Sequence, residues 1–122
     1  RKLHYLRRSF RQIPKGLRNM KNYTVLYSDS AQNDLTEIFD YIAYTLKEVH
    51  TAQNLIRKIM KNIELLKTMP ARFPVDENIK LKIKIRTLNT GKFITFYSVD
   101  EKSLSVKILR IIYGGRDFDE LF

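Results

Sequence analysis

The chain has 122 residues, 43% of them apolar and 30% charged, with only 4 Gly and 3 Pro, which excludes disorder, collagen and low complexity and fits one intracellular globular domain. It has no cysteine, which rules out a disulfide framework, a cysteine-ligated zinc site and a thiol nucleophile, and no apolar run approaches the ~18 residues of a membrane-spanning helix. Lys and Arg outnumber Asp and Glu by 23 to 13, a surplus of +10 that attracts phosphate or acidic proteins, and seven of those charges (Arg1, Lys2, Arg7, Arg8, Arg11, Lys15 and Arg18) fall within residues 1–19 without a single acid.

In the segment 1–20, Leu3, Leu6, Phe10, Ile13 and Leu17 recur at helical spacing with the cations opposite, until Pro14 and Gly16 interrupt the last turn. The pattern predicts a basic amphipathic helical arm. Met20 stands just before the first strand-like run, so the arm reads as an addition to a domain spanning 21–122. Its possible roles are docking on the body or on a second copy, contact with an anionic surface, targeting, or none, as an upstream stretch of vector or mistranslated origin.

From Tyr23 to Tyr27 the β-prone run Tyr-Thr-Val-Leu-Tyr predicts a strand, and Ser28-Asp29-Ser30 supplies side-chain oxygens for a helix start. The helix that follows carries Leu35, Ile38, Phe39, Ile42 and Leu46 on one stripe, with Asp34 and Glu37 near its positive end. After a break near Lys47–His50, Thr51 is the expected N-cap of a second helix whose stripe is Leu55, Ile56, Ile59, Ile63, Leu66 and Met69, ended by Pro70. The short connection makes the two helices antiparallel neighbours.

Beyond the turn-rich link 70–78, residues Ile79 to Arg86 alternate strictly, with Ile79, Leu81, Ile83 and Ile85 on one face and Lys80, Lys82, Lys84 and Arg86 on the other. A half-buried strand is expected there. Thr90-Gly91 predicts a turn, Phe93–Val99 a strand, Asp100–Ser103 a hairpin loop, and Leu104–Tyr113 a last strand stopped by Gly114-Gly115. The order β-α-α-β-β-β gives an α+β fold, two antiparallel helices packed on a small, mainly antiparallel, twisted sheet.

Alternate residues on a strand stand ~6.6–6.8 Å apart, so the cations of 80–86 can track a nucleic-acid backbone or an acidic peptide; lysines on such a strand also protect an exposed edge. Phe93, Phe96 and Tyr97 on the next strand are the candidate base-stacking rings, although at least half of them must serve the core. Metal and triad chemistry have little to draw on. His4 and His50 lack ligand-spaced neighbours, and Asp117, Asp119 and Glu120 belong to a tail opened by Arg116. Ser28 and Ser30 read as caps without a matching base, and no phosphate-cradling glycine loop occurs, so no cofactor or metal is implied.

The strand Tyr23–Tyr27, then Asp29-Ser30-Ala31, Asp34-Leu35 and Ile38-Phe39-Asp40-Tyr41-Ile42, Met69-Pro70-Ala-Arg-Phe-Pro74, Ile85-Arg86-Thr-Leu88, Gly91-Lys-Phe-Ile-Thr-Phe-Tyr97 and Ile108-Leu-Arg-Ile-Ile-Tyr-Gly-Gly-Arg-Asp117 together resemble the RelE/ParE superfamily of toxins from type II toxin-antitoxin systems. The resemblance covers about residues 21–122. It implies a growth-arresting toxin of the bacterial or archaeal cytoplasm, held inactive by a cognate antitoxin whose amphipathic segment covers the basic working surface, with self-association through residues 1–19 as a further option.

Two activities share that scaffold: RelE-like members cut mRNA in the ribosome, and ParE-like members poison DNA gyrase. RNA cleavage needs a base for the 2′-OH, positive charge for the phosphorane and a proton for the leaving oxygen. Matched to RelE, the catalytic positions would be Lys84, Arg86 and Arg116; a target-binding surface of either kind would comprise Lys80, Lys82, Lys84, Arg86, Arg110 and Arg116. Two departures count against the nuclease: Phe93 stands where RelE carries an arginine, and Phe122 where it carries a C-terminal tyrosine. The run Gly91–Tyr97 reads more like ParE. Arg110 reads either as a structural ion pair or as a target contact, and the Tyr97 and Tyr113 hydroxyls are expected at the rim of a packed core. The reading leans to a gyrase-directed toxin, with the ribosome-dependent nuclease as alternative and a simple nucleic-acid or acidic-protein binding module as a third.

Overall fold

In the computed structural model, which describes residues 22–114, the β-prone run after Tyr23 forms β1 (Thr24–Tyr27). Ser28 then starts α1 (Asp29–Asp40): its backbone is extended, and its hydroxyl accepts the Ala31 N–H at 3.0 Å while donating to the Leu109 carbonyl at 2.9 Å. One side chain thus begins the helix and fixes it to the sheet. α1 passes into a π-helical turn, Tyr41–Thr45, and Lys47, at a φ of 57°, helps reverse the chain into α2 (Val49–Glu64). Thr51 is not the cap of α2. The connection closes on backbone bonds, Leu46 N–H to Tyr41 carbonyl and Glu48 N–H to Ile42 carbonyl, so the helix restarts at Val49 behind Glu48, without a side-chain cap.

The sheet contains β1, β2 (Arg86–Thr90), β3 (Phe93–Asp100) and β4 (Ser105–Tyr113) in the order β1-β4-β3-β2. β1 runs parallel to β4 and the other pairs are antiparallel, so the fold is α+β with a mainly antiparallel sheet, as the sequence predicts. Gly91, at a φ of 58°, makes the tight β2–β3 hairpin. Asp100 shapes the β3–β4 loop by accepting the N–H groups of Lys102 and Ser103, and the Ser103 side chain first, then these two backbone bonds, hold its carboxyl below the usual range. Opposite Phe96 and Tyr97 the register slips, because Phe96 pairs with Arg110 and Tyr97 with Ile108, leaving Leu109 as the extra residue of a bulge.

Both helices lie on one face of the sheet, where Ala31, Ile59, Ile63 and Leu66 pack against Leu88, Tyr97, Val106, Ile108 and Ile111. The opposite face carries a smaller cluster of Ile85, Phe96 and Ile112, joined by Ile79, Ile94 and Leu109. Met69 leaves the predicted stripe: the chain tightens into a 3₁₀ turn at Leu65–Lys67, and Met69 adopts a left-handed conformation with half its surface in water.

The segment predicted as the first strand of the three-stranded run is not one. Strand structure begins at Arg86, and Leu81 and Ile83 are 47% and 53% exposed, while Ile85 is buried. The physical reason is a local pairing that turns the segment into a loop. Asp76 N–H to Ile85 carbonyl at 2.7 Å, Thr87 N–H to Pro74 carbonyl at 3.1 Å, and a bridge between Val75 and Arg86 pair residues 74–76 with 85–87, so the residues between them become the connection. Alternation needs a ladder to become a strand, and residues 80–84 find none. Among the described residues no helix is long and apolar enough to cross a membrane. The arm 1–20, Arg116, the acidic residues after it and Phe122 lie outside the described residues.

Candidate functional site

On the sheet face away from the helices, a cleft of about 560 Å³ opens between residues 83–86 and the β3–β4 hairpin. Lys84, Arg86, Lys102 and Lys107 line it together with Ser98, Leu109 and, on the hairpin, Asp100 and Glu101. Its cations come from three separate elements. Lys107 faces out of β4 between the buried Val106 and Ile108, and Lys102 stands on the loop that Asp100 organises. The sequence reading omitted these two lysines, although the outward position of Lys107 in an alternating run was a usable signal.

The cations singled out in the sequence fall into two groups. Lys80, Lys82 and Lys84 are exposed, and among the described residues none of them enters an ion pair. Arg86, by contrast, is engaged by the protein itself. Its Nη1 donates to the Ala71 carbonyl at 3.0 Å and to the Phe73 carbonyl at 2.7 Å, fastening the 3₁₀ turn Pro70–Arg72 to the head of β2. Arg72 reinforces the same turn by donating to the Leu65 carbonyl at 2.9 Å and lying over the Phe73 ring, 5.3 Å from its centre. Arg110 is paired on the helix side with Asp34, Nε to Oδ2 at 2.7 Å and Nη2 to Oδ1 at 2.9 Å, which is the structural reading of that residue.

The candidate stacking rings are mostly unavailable to a base. Phe96 and Tyr97 are fully buried, and the Tyr97 hydroxyl is interior rather than at a rim, donating to the Pro70 carbonyl at 2.6 Å. Burial pushes its phenol up to about 12, against smaller opposing effects of Arg86, Arg72 and the Phe73 backbone. Phe93 is half-buried and meets Tyr113 edge-on, ring centres 5.7 Å apart; Tyr113 is half-exposed. The cleft therefore offers exposed ammonium groups and aliphatic walls rather than an aromatic platform, a surface suited to carboxylates on a protein.

A family model, the ParE toxin of the type II toxin-antitoxin system parDE, matches residues 25–118. No curated protein matches the sequence significantly. Three solved structures share the fold at low identity. The chromosomal ParDE toxin-antitoxin system of P. aeruginosa aligns at 19% identity over 75% of this chain and 95% of that one, with a TM-score of 0.62. The archaeal RelE-RelB complex of Pyrococcus horikoshii OT3 aligns at 18% identity over 79% and 99%, with a TM-score of 0.56. The toxin-antitoxin complex RelBE2 of Mycobacterium tuberculosis aligns at 19% identity over 78% and 94%, with a TM-score of 0.52.

Proposed function

The chain belongs to the ParE toxin family of type II toxin-antitoxin systems, and from that membership we propose that it arrests growth by gripping DNA gyrase through its basic face, without cutting RNA. The observation that carries this reading is the engagement of Arg86. A phosphoryl-transfer site needs cations free to follow charge onto the phosphorane as it develops. Here the guanidinium at a RelE-matched catalytic position is bound to two backbone carbonyls, and that of Arg110 is bound to Asp34. Among the described residues the exposed lysines of 80–84 stay outside any ion pair, and they steer and hold an acidic protein surface without placing any one charge accurately. The family match to a ParE model agrees with this choice.

The partner that neutralises such a toxin is a cognate antitoxin; the similar structures were solved as toxin-antitoxin systems or complexes, which supports the same assembly for this chain. The direct test is biochemical. Purified protein added to gyrase is expected to lower supercoiling and accumulate cleaved DNA, and to leave mRNA on purified ribosomes intact. Intact gyrase activity with phased cuts in the mRNA would reverse the assignment in favour of the ribosome-dependent nuclease. Neither effect, with normal growth of cells making soluble protein, would leave only a binding module.

A further inference from the structure

We propose that residues 79–85 are a recognition segment that becomes a β-strand by pairing with an extended acidic peptide. The segment is held at its two ends only. Ile79 and Ile85 pack with Phe96 and Ile112 on the sheet face away from the helices, and the flanking backbone is bonded through Ile79 N–H to the Asp76 carbonyl and Asp76 N–H to the Ile85 carbonyl. Between them, residues 80–84 make no backbone hydrogen bond to the rest of the described residues. Their sequence alternates as a strand's does, yet Leu81 and Ile83 keep about half of their surface in water. Strand chemistry without a ladder leaves this loop able to accept a second strand from a partner.

The charge around the segment states what that second strand carries. Lys80, Lys82 and Lys84 are exposed, with Lys102 and Lys107 across the cleft. The two acids on the cleft wall are already occupied: Asp100 holds the N–H groups of Lys102 and Ser103, and Glu101 accepts the Tyr23 hydroxyl. Among the described residues Lys80, Lys82, Lys84 and Lys102 enter no ion pair, and Lys107 has only a coulombic interaction with Asp100. A peptide of alternating acidic and apolar residues would meet the lysines with one face, cover Leu81 and Ile83 with the other, and satisfy the open backbone groups. A single-stranded nucleic acid would use the lysines alone, because it brings no partner for the backbone and finds Phe96 and Tyr97 buried. The inference draws on the toxin reading only in supposing a protein partner.

The experiment uses the full chain and a synthetic alternating Glu-Val peptide about eight residues long, an ordinary strand length, with a control of the same composition in which all the Glu residues precede all the Val residues. Amide hydrogen exchange is read with and without each peptide. Expected is fast exchange throughout 80–84 in the free chain and, with the alternating peptide, slowing by about tenfold or more at alternate amides of the segment. Ile83→Pro removes one donor at a position with no bond to lose, so it keeps the melting temperature of the parent and weakens peptide binding by about tenfold. Equal affinity for the control peptide, binding without protection at 80–84, tighter binding of oligothymidylate than of the peptide, or no peptide binding would each overturn the proposal. Gyrase and living cells play no part in this measurement, so its failure is separable from a failure of the toxin reading.

Discussion

Asp34 and Arg110, 76 residues apart, clamp α1 to β4: both Arg110 donors reach the carboxylate, and the Ile111 N–H adds a third bond to Oδ2 at 2.9 Å. The clamp sits where β4 has outrun β1, whose pairing stops at Ile108. Beyond that point the strand edge has no neighbour, and α1 satisfies it with side chains: the Ser28 hydroxyl donates to the Leu109 carbonyl, and the Asp34 carboxylate receives the Ile111 N–H. Asp34 is only 7% exposed, and three donors are what make a buried carboxylate tolerable there.

Breaking this pair from one side therefore costs more than exchanging it whole. Asp34→Asn strands the Arg110 guanidinium and is expected to lower unfolding free energy by about 3 kcal/mol in urea titration. The double variant Asp34→Leu, Arg110→Met is expected to recover half of that loss or more, because neither charge is then left partly buried. A single-variant loss below about 1 kcal/mol would show that the pair does not clamp the helix.

Arg86 gives a second stability prediction that bears on function. If its guanidinium fastens the 70–74 turn, Arg86→Ala costs about 2 kcal/mol and opens new cleavage sites near residues 69–76 in limited proteolysis. Arg86→Lys keeps the charge yet reaches fewer acceptors, so it restores only part of the stability. An Arg86→Ala protein as stable and protease-resistant as the parent would return this side chain to the list of free, target-facing cations.

The third prediction concerns alkaline pH. The Tyr97 phenol is raised to about 12 in the folded chain, against an ordinary value near 10, so the folded state favours its neutral form. Its stabilising contribution is complete below about pH 10 and declines as pH rises toward about 12, where the folded group ionises too. Tyr97→Phe is expected to cost about 1 kcal/mol at neutral pH through the lost bond to the Pro70 carbonyl, and to show a shallower fall of melting temperature across that alkaline window. Tyr27, also raised by burial, and the lysines are common to both proteins, so the difference between the two curves isolates Tyr97.

How much of this was legible in the sequence follows the range of each interaction. β1, the Ser28 cap and the two hairpins rest on chemistry within a few residues, and they stand nearly where the sequence places them. The misplaced strand at 79–86 failed for a different reason: its period was read correctly, but period expresses only what a segment is able to do, and the pairing of residues 74–76 with 85–87 made most of it the loop between them. Asp34 looked like a dipole partner at a helix start because its true partner lies 76 residues away. Arg86 spends its charge on backbone carbonyls, which every residue possesses and no sequence marks. The cleft itself, with Lys102 and Lys107 facing Lys84, exists only once the β3–β4 hairpin has folded back.

The last prediction separates a grip from a cut through the way mutational losses accumulate. Exposed lysines at the rim of an interface each contribute about 1 kcal/mol or less, and mainly to the rate of encounter, so Lys80→Gln, Lys82→Gln and Lys84→Gln should each soften toxicity slightly and the triple variant by about their sum. A catalytic lysine behaves otherwise, since removing a charge that stabilises a transition state lowers rate by ~10²-fold in one step. Graded losses are expected, measured as the inducer level needed for growth arrest. With them, cells arrested by the parent protein should induce the DNA-damage response before protein synthesis falls, as a poisoned gyrase requires. Phased cuts in ribosome-bound mRNA that vanish in Lys84→Ala or Arg116→Ala, with toxicity lost in a single step, would make the nuclease the correct reading.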